Sequence, residues 1–201
     1  MPDFERKSKM AYNRKADNYT NSREGRFTYG FQRLLLSEMK WSKCQNVLDV
    51  ACGNGSLLAA MNEMVSINGF GIDIAEQMIE NATKDNPSME FHVSGCDKIP
   101  FGDETMDVIT VCAAYHHFPD TAAFARESQR VLKQNGKIFI AEIYLPSLLR
   151  LILNPFVPFS SEGDVRFYSP DMICKTLEPF GFQRETVKIE RHIQIVALQK
   201  I

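Results

Sequence analysis

The sequence predicts an α/β fold: a doubly wound, mostly parallel sheet with helices on both faces and an antiparallel hairpin at the C-terminus. Three observations carry this. Short apolar runs alternate with helix-patterned segments along the chain. Runs such as Val108-Ile109-Thr110-Val111-Cys112 are apolar on both faces, as strands of a parallel sheet covered on each side must be. After residue 180, Phe182 to Arg191 and Ile193 to Ile201 are two extended segments with no room between them for a crossover helix, so they pair as a hairpin.

Taken in order, residues 1–42 read as a mainly helical cap, with Phe27, Phe31, Leu34, Leu35 and Met39 on one face. Strands are expected near 46–51, 68–73, 89–93, 106–112 and 136–143, which with the hairpin makes seven. A helix from Ser56 to Met64 follows the first strand. Ile143 to Phe159 is strongly apolar, yet prolines, Asn154 and Arg150 interrupt it and it is too short for a bilayer span. Residues 144–166 are expected to form a lid insertion; a dimer face or a membrane-surface contact is the alternative.

At 201 residues and 44% hydrophobic, the chain is long enough for one sizeable core and too short for two ordinary domains. A net charge of −2 with scattered basic residues gives no footprint for nucleic acid. The five cysteines, Cys44, Cys52, Cys96, Cys112 and Cys174, contain no C-x-x-C pair and read as reduced thiols. The histidines lack metal-ligand spacing apart from His116 and His117, whose side chains point different ways if the segment is extended. No metal is expected. The charged N-terminus has no apolar stretch of the signal-peptide kind, so a cytoplasmic monomer or homodimer without an integral membrane segment is the expectation.

The densest chemical information lies in Val47-Leu48-Asp49-Val50-Ala51-Cys52-Gly53-Asn54-Gly55-Ser56. Gly53 and Gly55 allow a sharp turn and close approach of backbone to a ligand, and the following helix offers free amides. A dinucleotide fingerprint requires a third glycine where Leu58 stands. Asp49 repels a pyrophosphate and suits a ligand bearing an ammonium group and a sulfonium. Asp73 ends the second strand, 18 positions beyond Gly55, the spacing of a carboxylate that binds ribose hydroxyls. It is also a natural helix N-cap, and the two roles are compatible. Ile74 then lies against the adenine.

These segments, with KIPFGDETMDVI at 98–109, YHHFPD at 115–120 and VLKQNGKIFIAE at 131–142, resemble the class I S-adenosylmethionine-dependent methyltransferases, in the branch of the ubiquinone and menaquinone biosynthesis enzymes. The resemblance implies a Rossmann-like seven-stranded sheet whose last strand alone is antiparallel. It implies S-adenosylmethionine as cofactor, held by Asp49, Ala51, Cys52, Gly53 and Gly55 toward its methionine part and by Asp73 and Ile74 toward its nucleoside, with Tyr19, Met78, Cys96, Asp97 and Cys112 completing the pocket. Two positions depart from the family pattern: Ala51 replaces a glycine, and Gly95 replaces an Asp that accepts from the adenine amino group. The Cys96 amide and the Asp97 carboxylate are the candidate substitutes.

His116 and His117 follow the fourth strand, where ligands of open α/β sheets bind. Either acts as general base or only shapes the pocket. The expected activity is methyl transfer to a small apolar or neutral acceptor. A non-catalytic S-adenosylmethionine-binding protein is the alternative, and Leu58 and Asp49 argue against a nicotinamide-dependent oxidoreductase.

Overall fold

The computed structural model describes residues 3–39 and 45–201; Cys44 and residues 40–42 of the expected cap lie outside them. Helices α1 (Asp3–Lys15) and α2 (Arg23–Glu38) precede the sheet. Then come β1 (Asn46–Val50), α3 (Ser56–Met64), β2 (Asn68–Asp73), α4 (Glu76–Asp85), β3 (Glu90–Val93), β4 (Met106–Cys112), α5 (Thr121–Val131) and β5 (Leu132–Ile143). The chain finishes with α6 (Ser147–Leu153), α7 (Pro170–Leu177), β6 (Phe182–Glu190) and β7 (Ile193–Lys200).

The seven strands form one sheet in the order β3-β2-β1-β4-β5-β7-β6. All neighbours are parallel except those made by β7, which runs antiparallel to both β5 and β6. The tight β6–β7 turn dictates this: two residues can reverse a chain but cannot carry it back to the sheet's other end.

Strand alternation divides the core. Leu48, Val50, Ile72, Ile109 and Val111 pack with Phe124 of α5 and Ile173 and Leu177 of α7. Val47, Val108, Phe139 and Ala141 pack on the opposite face with Phe31 and Leu35 of α2 and Leu57, Leu58 and Met61 of α3. Both faces of the central strands are therefore apolar, as the sequence pattern predicts.

Helix starts follow capping chemistry. Ser22 accepts from the Gly25 amide at 2.9 Å, Asp120 from the amides of Ala122 and Ala123 at 3.0 and 2.8 Å, and Ser169 from that of Met172 at 3.3 Å, ahead of Pro170.

Three expectations are adjusted. β5 starts at Leu132 rather than 136, because Leu132 pairs with Met106 across a register shift that absorbs the polar Lys133–Gly136 stretch, including Asn135 at φ +64°. Phe27 is 45% exposed, stacked on His192 with ring centroids 5.3 Å apart, while Phe31, Leu34, Leu35 and Met39 are buried. His116 and His117 sit in a 3-10 turn, Tyr115–His117, not in an extended segment. Their rings lie on the same side with centroids 4.1 Å apart, so the expected divergence of the two side chains is wrong.

Candidate active site

The chain turns sharply after β1. Ala51, Gly53 and Gly55 all have positive φ, at +60°, +54° and +76°. Hydrogen bonds fix this loop: Cys52 N donates to Ile72 O at 3.0 Å and Gly55 N to Cys52 O at 3.0 Å. Asp73, at the end of β2, ties it to the next crossover. One carboxylate oxygen accepts from Gly53 N at 2.9 Å and the other from Ala75 N at 2.8 Å. Asp73 is not the N-cap of α4, a position held by Ala75; it acts two residues earlier, as an Asx-type turn.

Gly71 makes this contact possible. A Cβ there would lie 2.8 Å from Cys52 Sγ and 2.5 Å from Phe91 Cδ1, so only glycine lets the loop and β3 close on β2.

The loops after β1, β2 and β4, together with α1, bound an open cleft at the carboxyl ends of the central strands, where ligands of open α/β sheets bind. Of the residues singled out in the sequence, Ala51, Gly53, Asp73, Ile74 and Met78 line it, as do Tyr19, Cys96, Cys112 and His117. Asp49, Cys52, Gly55 and His116 do not line it and are buried behind the lining, and Asp97 is exposed beside it.

Asp49 is 2% exposed and accepts from Thr110 Oγ1 at 2.7 Å. Burial pushes its carboxyl up to about 7, against the Thr110 hydrogen bond, and nearby Asp73 adds to the effect. Asp73 itself is raised by burial, in opposition to its backbone donors. Two desolvated carboxyls beside one cleft are suited to a ligand that brings positive charge.

Gly95 has a physical counterpart. A Cβ at this position would meet Asp97 Oδ1 at 2.6 Å and Glu5 Oε1 at 3.3 Å. The space of the missing side chain is thus already occupied by carboxylates from two other residues. Glu5 lines the cleft, and burial, then Asp97, raises its carboxyl above the ordinary range.

Sequence reasoning missed Glu5 and Ser8 of α1, along with Ser94 after β3 and Ala113 and Ala114 after β4. The only signal for the first two was the position of the N-terminal helices ahead of the sheet. α1 reaches the cleft through α4: Asn13 accepts from Gln77 N at 3.0 Å and donates to Glu76 at 3.0 Å, Lys9 pairs with Glu76, and Ala16 packs on Ala75 and Met78. Asn54 also donates to Thr20 Oγ1 at 2.8 Å, joining the glycine loop to the cap.

Around the 3-10 turn, His116 Nδ1 lies 2.9 and 3.0 Å from the two oxygens of Glu142, and the His116 amide donates to the same carboxylate at 3.1 Å. Burial acts to lower the His116 imidazole, yet Glu142 and then Asp164 hold it above its ordinary value. His117 Nε2 lies 3.1 Å from Tyr12 Oη. Its Nδ1 is 3.1 Å from Asp164 Oδ1 without hydrogen-bond alignment, and is buried without a hydrogen-bond partner. Burial, then the neighbouring His116, holds His117 well below the usual histidine range. Tyr12 is raised by burial and stays a neutral phenol.

The fold and this cleft define a class: an open α/β sheet with a small-molecule cleft at the carboxyl ends of its central strands, whose carboxyls suit a positively charged ligand. The comparisons with known proteins narrow it. Residues 48–140 match the methyltransferase domain family. Demethylmenaquinone methyltransferase from Chlorobaculum parvum is 35% identical over 100 residues, covering 50% of this chain and 42% of that one. Demethylmenaquinone methyltransferase from Thermotoga maritima is 29% identical over 161 residues, covering 69% and 70%. The chain spans about half the length of several curated relatives it matches.

Among solved structures, the complex of the Haloferax volcanii Trm112 methyltransferase activator with a methyltransferase superposes with TM-score 0.81 at 18% identity, over 94% of this chain and 97% of that one. A SAM-dependent methyltransferase from Aquifex aeolicus gives 0.68 at 22% identity, over 85% and 89%. Together these matches make the chain similar to the S-adenosylmethionine-dependent methyltransferases, whose fold the solved structures share with it.

Proposed function

We propose that this protein transfers the methyl group of S-adenosylmethionine to a small, apolar or neutral acceptor in the cytoplasm. The observation that carries the reading is the Asp73 bridge: one half-buried carboxylate binds the glycine loop at Gly53 N and the start of the α4 crossover at Ala75 N. It thereby presents Ala51, Gly53, Asp73 and Ile74 together on one cleft. The cofactor supplies a methyl group on a sulfonium with a neutral thioether as leaving group. The chain's own residues bind, orient and exclude water.

Each carboxylate oxygen of Asp73 spends one lone pair on a backbone amide and keeps another for a ribose hydroxyl. Asp49, behind the loop, contributes the field that favours a cationic ligand. Asp97 and Glu5 take the part of the carboxylate absent at Gly95, accepting from the adenine amino group. Cys112 and Ala113 form the wall next to the acceptor side, where Tyr12, Tyr19 and His117 stand. Holding the acceptor's nucleophile in line with the methyl group supplies most of the rate, since well-oriented intramolecular reactions gain about 7–11 kcal/mol. His117 is the candidate base: neutral at physiological pH, it takes the acceptor's proton through the Tyr12 hydroxyl, which passes its own proton to Nε2.

We assign residues 144–166 as the cover of the acceptor side. Glu162 pairs with Lys15 of α1, and Gly163 packs so closely that a Cβ would lie 2.2 Å from Phe4 O. Within the same segment, α6 buries none of its side chains and leaves Leu148 and Leu151 about 70% exposed. That face suits an apolar acceptor. No helix among the described residues is long and apolar enough to cross a membrane. The thiols of Cys52, Cys96, Cys112 and Cys174 are unpaired, which suits a reducing compartment.

Methyl transfer from labelled S-adenosylmethionine to a panel of phenols, quinols, amines and thiols tests the reading. Turnover is expected with apolar phenolic or quinol acceptors. Binding of S-adenosylhomocysteine with no turnover on any acceptor supports a non-catalytic binding protein instead, and binding of a nicotinamide dinucleotide in its place overturns both.

A further inference from the structure

We infer that His116, His117 and Asp164 form a binding site for a divalent transition-metal ion of the zinc class at the wall of the cleft. The donor atoms are His116 Nε2, His117 Nδ1 and the Asp164 carboxylate, and the three residues' ligand atoms lie within 4.8 Å of one another. Asp164 Oδ1 is 3.1 Å from His117 Nδ1 and 3.6 Å from His116 Nε2. Bonds of about 2.0–2.1 Å in a tetrahedral zinc site place neighbouring ligand atoms about 3.3 Å apart. The two carboxylate-to-imidazole separations bracket that value and the imidazole nitrogens lie within 4.8 Å of each other, so an ion bound here draws the three donors together.

The supporting groups are also in place. Metal-bound histidines commonly donate their second ring N–H to a carboxylate or another oxygen, which fixes tautomer and orientation. His116 Nδ1 faces Glu142, which is fully buried; with its proton on that nitrogen, Nε2 is the atom offered to an ion. His117 has Tyr12 Oη at Nε2, and its buried Nδ1 has no hydrogen-bond partner. Asp164 is held by its neighbours: Val165 N donates to His116 O at 2.8 Å, and Gly163 wedges against α1. The set comes from a single 3-10 turn and the segment after α6, and the Asp164 carboxylate faces both imidazoles. Two imidazole nitrogens and one carboxylate oxygen form a borderline donor set that favours zinc, cobalt, nickel or iron over magnesium or calcium.

His117 belongs to both the cluster and the cleft lining. Three protein ligands leave a tetrahedral ion one further position, and we assign to it an acidic oxygen of the methyl acceptor, whose ionisation the ion favours. This assignment rests on the methyl-transfer reading; the site itself does not. With the ion on Nδ1, His117 is a ligand and no longer a base, and the ion takes over activation of the acceptor.

The test uses the full chain stripped with a chelator and titrated with Co²⁺ and then Zn²⁺, with S-adenosylhomocysteine binding measured in parallel. One ion per chain is expected, with the visible spectrum of tetrahedral cobalt and displacement by zinc. His117→Ala and Asp164→Asn should each weaken binding at least about 100-fold, and Glu142→Gln about 10- to 100-fold. For variants that fold poorly, imidazole nitrogen shifts of the wild-type protein report the same thing: His116 Nε2 and His117 Nδ1 should move on zinc addition. No stoichiometric ion, or one whose affinity survives His117→Ala together with Asp164→Asn, overturns the site. Homocysteine-nucleoside binding without metal binding leaves the methyl-transfer reading standing and removes only this one.

Discussion

Asp49→Asn should make the unliganded protein more stable above pH 7 while weakening its ligand binding. Asp49 is buried, and desolvation lifts its carboxyl from the ordinary 3.8 to about 7. At about 1.4 kcal/mol per pH unit, holding it ionised in the folded state costs up to about 4 kcal/mol. The sign follows from proton binding. Between pH 4 and 7 the folded protein keeps a proton that the unfolded chain has lost, so stability falls as pH rises through that window, and the full cost is present only above pH 7. The cost is about 1.5 kcal/mol at pH 5 and about 4 kcal/mol at pH 8.

Asparagine retains the acceptor for Thr110 Oγ1 and does not titrate. Its amide N–H needs a partner, which subtracts a pH-independent amount of about 1–3 kcal/mol. The diagnostic quantity is therefore the slope: the variant's stability relative to wild type should grow by about 2–3 kcal/mol from pH 5 to pH 8 in urea denaturation. At pH 8 the same variant should bind S-adenosylhomocysteine at least about tenfold more weakly. A stability difference that stays flat across this range would show that Asp49 is not strained by its charge.

Asp73→Ala strands the amides of Gly53 and Ala75 and, at about 1.5–3 kcal/mol per charge-assisted bond, should lower ligand affinity at least about 100-fold by calorimetry; unchanged affinity would remove Asp73 from the site. Ala51→Gly relieves a left-handed residue at φ +60°, worth about 1–2 kcal/mol, against about 0.4–1 kcal/mol of added unfolded-state entropy. A small gain of about 1 kcal/mol in thermal unfolding is expected, and a clear loss would mean that the alanine methyl packs. Asp97→Asn with Glu5→Gln should reduce the preference for adenosine over inosine in the bound nucleoside, with equal loss for both counting against adenine recognition. Leu48→Ala, fully buried at the sheet centre, should cost about 2–5 kcal/mol in denaturant titration, and a cost under about 1 kcal/mol would mean that the core collapses around it.

Local signals account for the parts of the molecule that the sequence by itself determined. Strand polarity, the two-faced apolar core, the loop at Ala51–Gly55 and the Asp73 carboxylate 18 residues beyond it depend on periodicity, turn chemistry and short spacings. The short turn at 191–192 likewise forced β7 antiparallel. What only the tertiary structure decided are the meetings between distant segments. Tyr12 reaches His117 across 105 positions, Glu142 orients His116 across 26, and Asp164 closes on both histidines from the far side of α6. Glu5 and Asp97 fill the space at Gly95 although nothing near Glu5 in the chain marks it. A hydrophobic pattern specifies which face of each element is buried, but which polar ends are then brought together depends on how the elements dock. The extended reading of His116 and His117 failed for that reason: their shared orientation comes from a single 3-10 turn, too short to leave a period in the sequence.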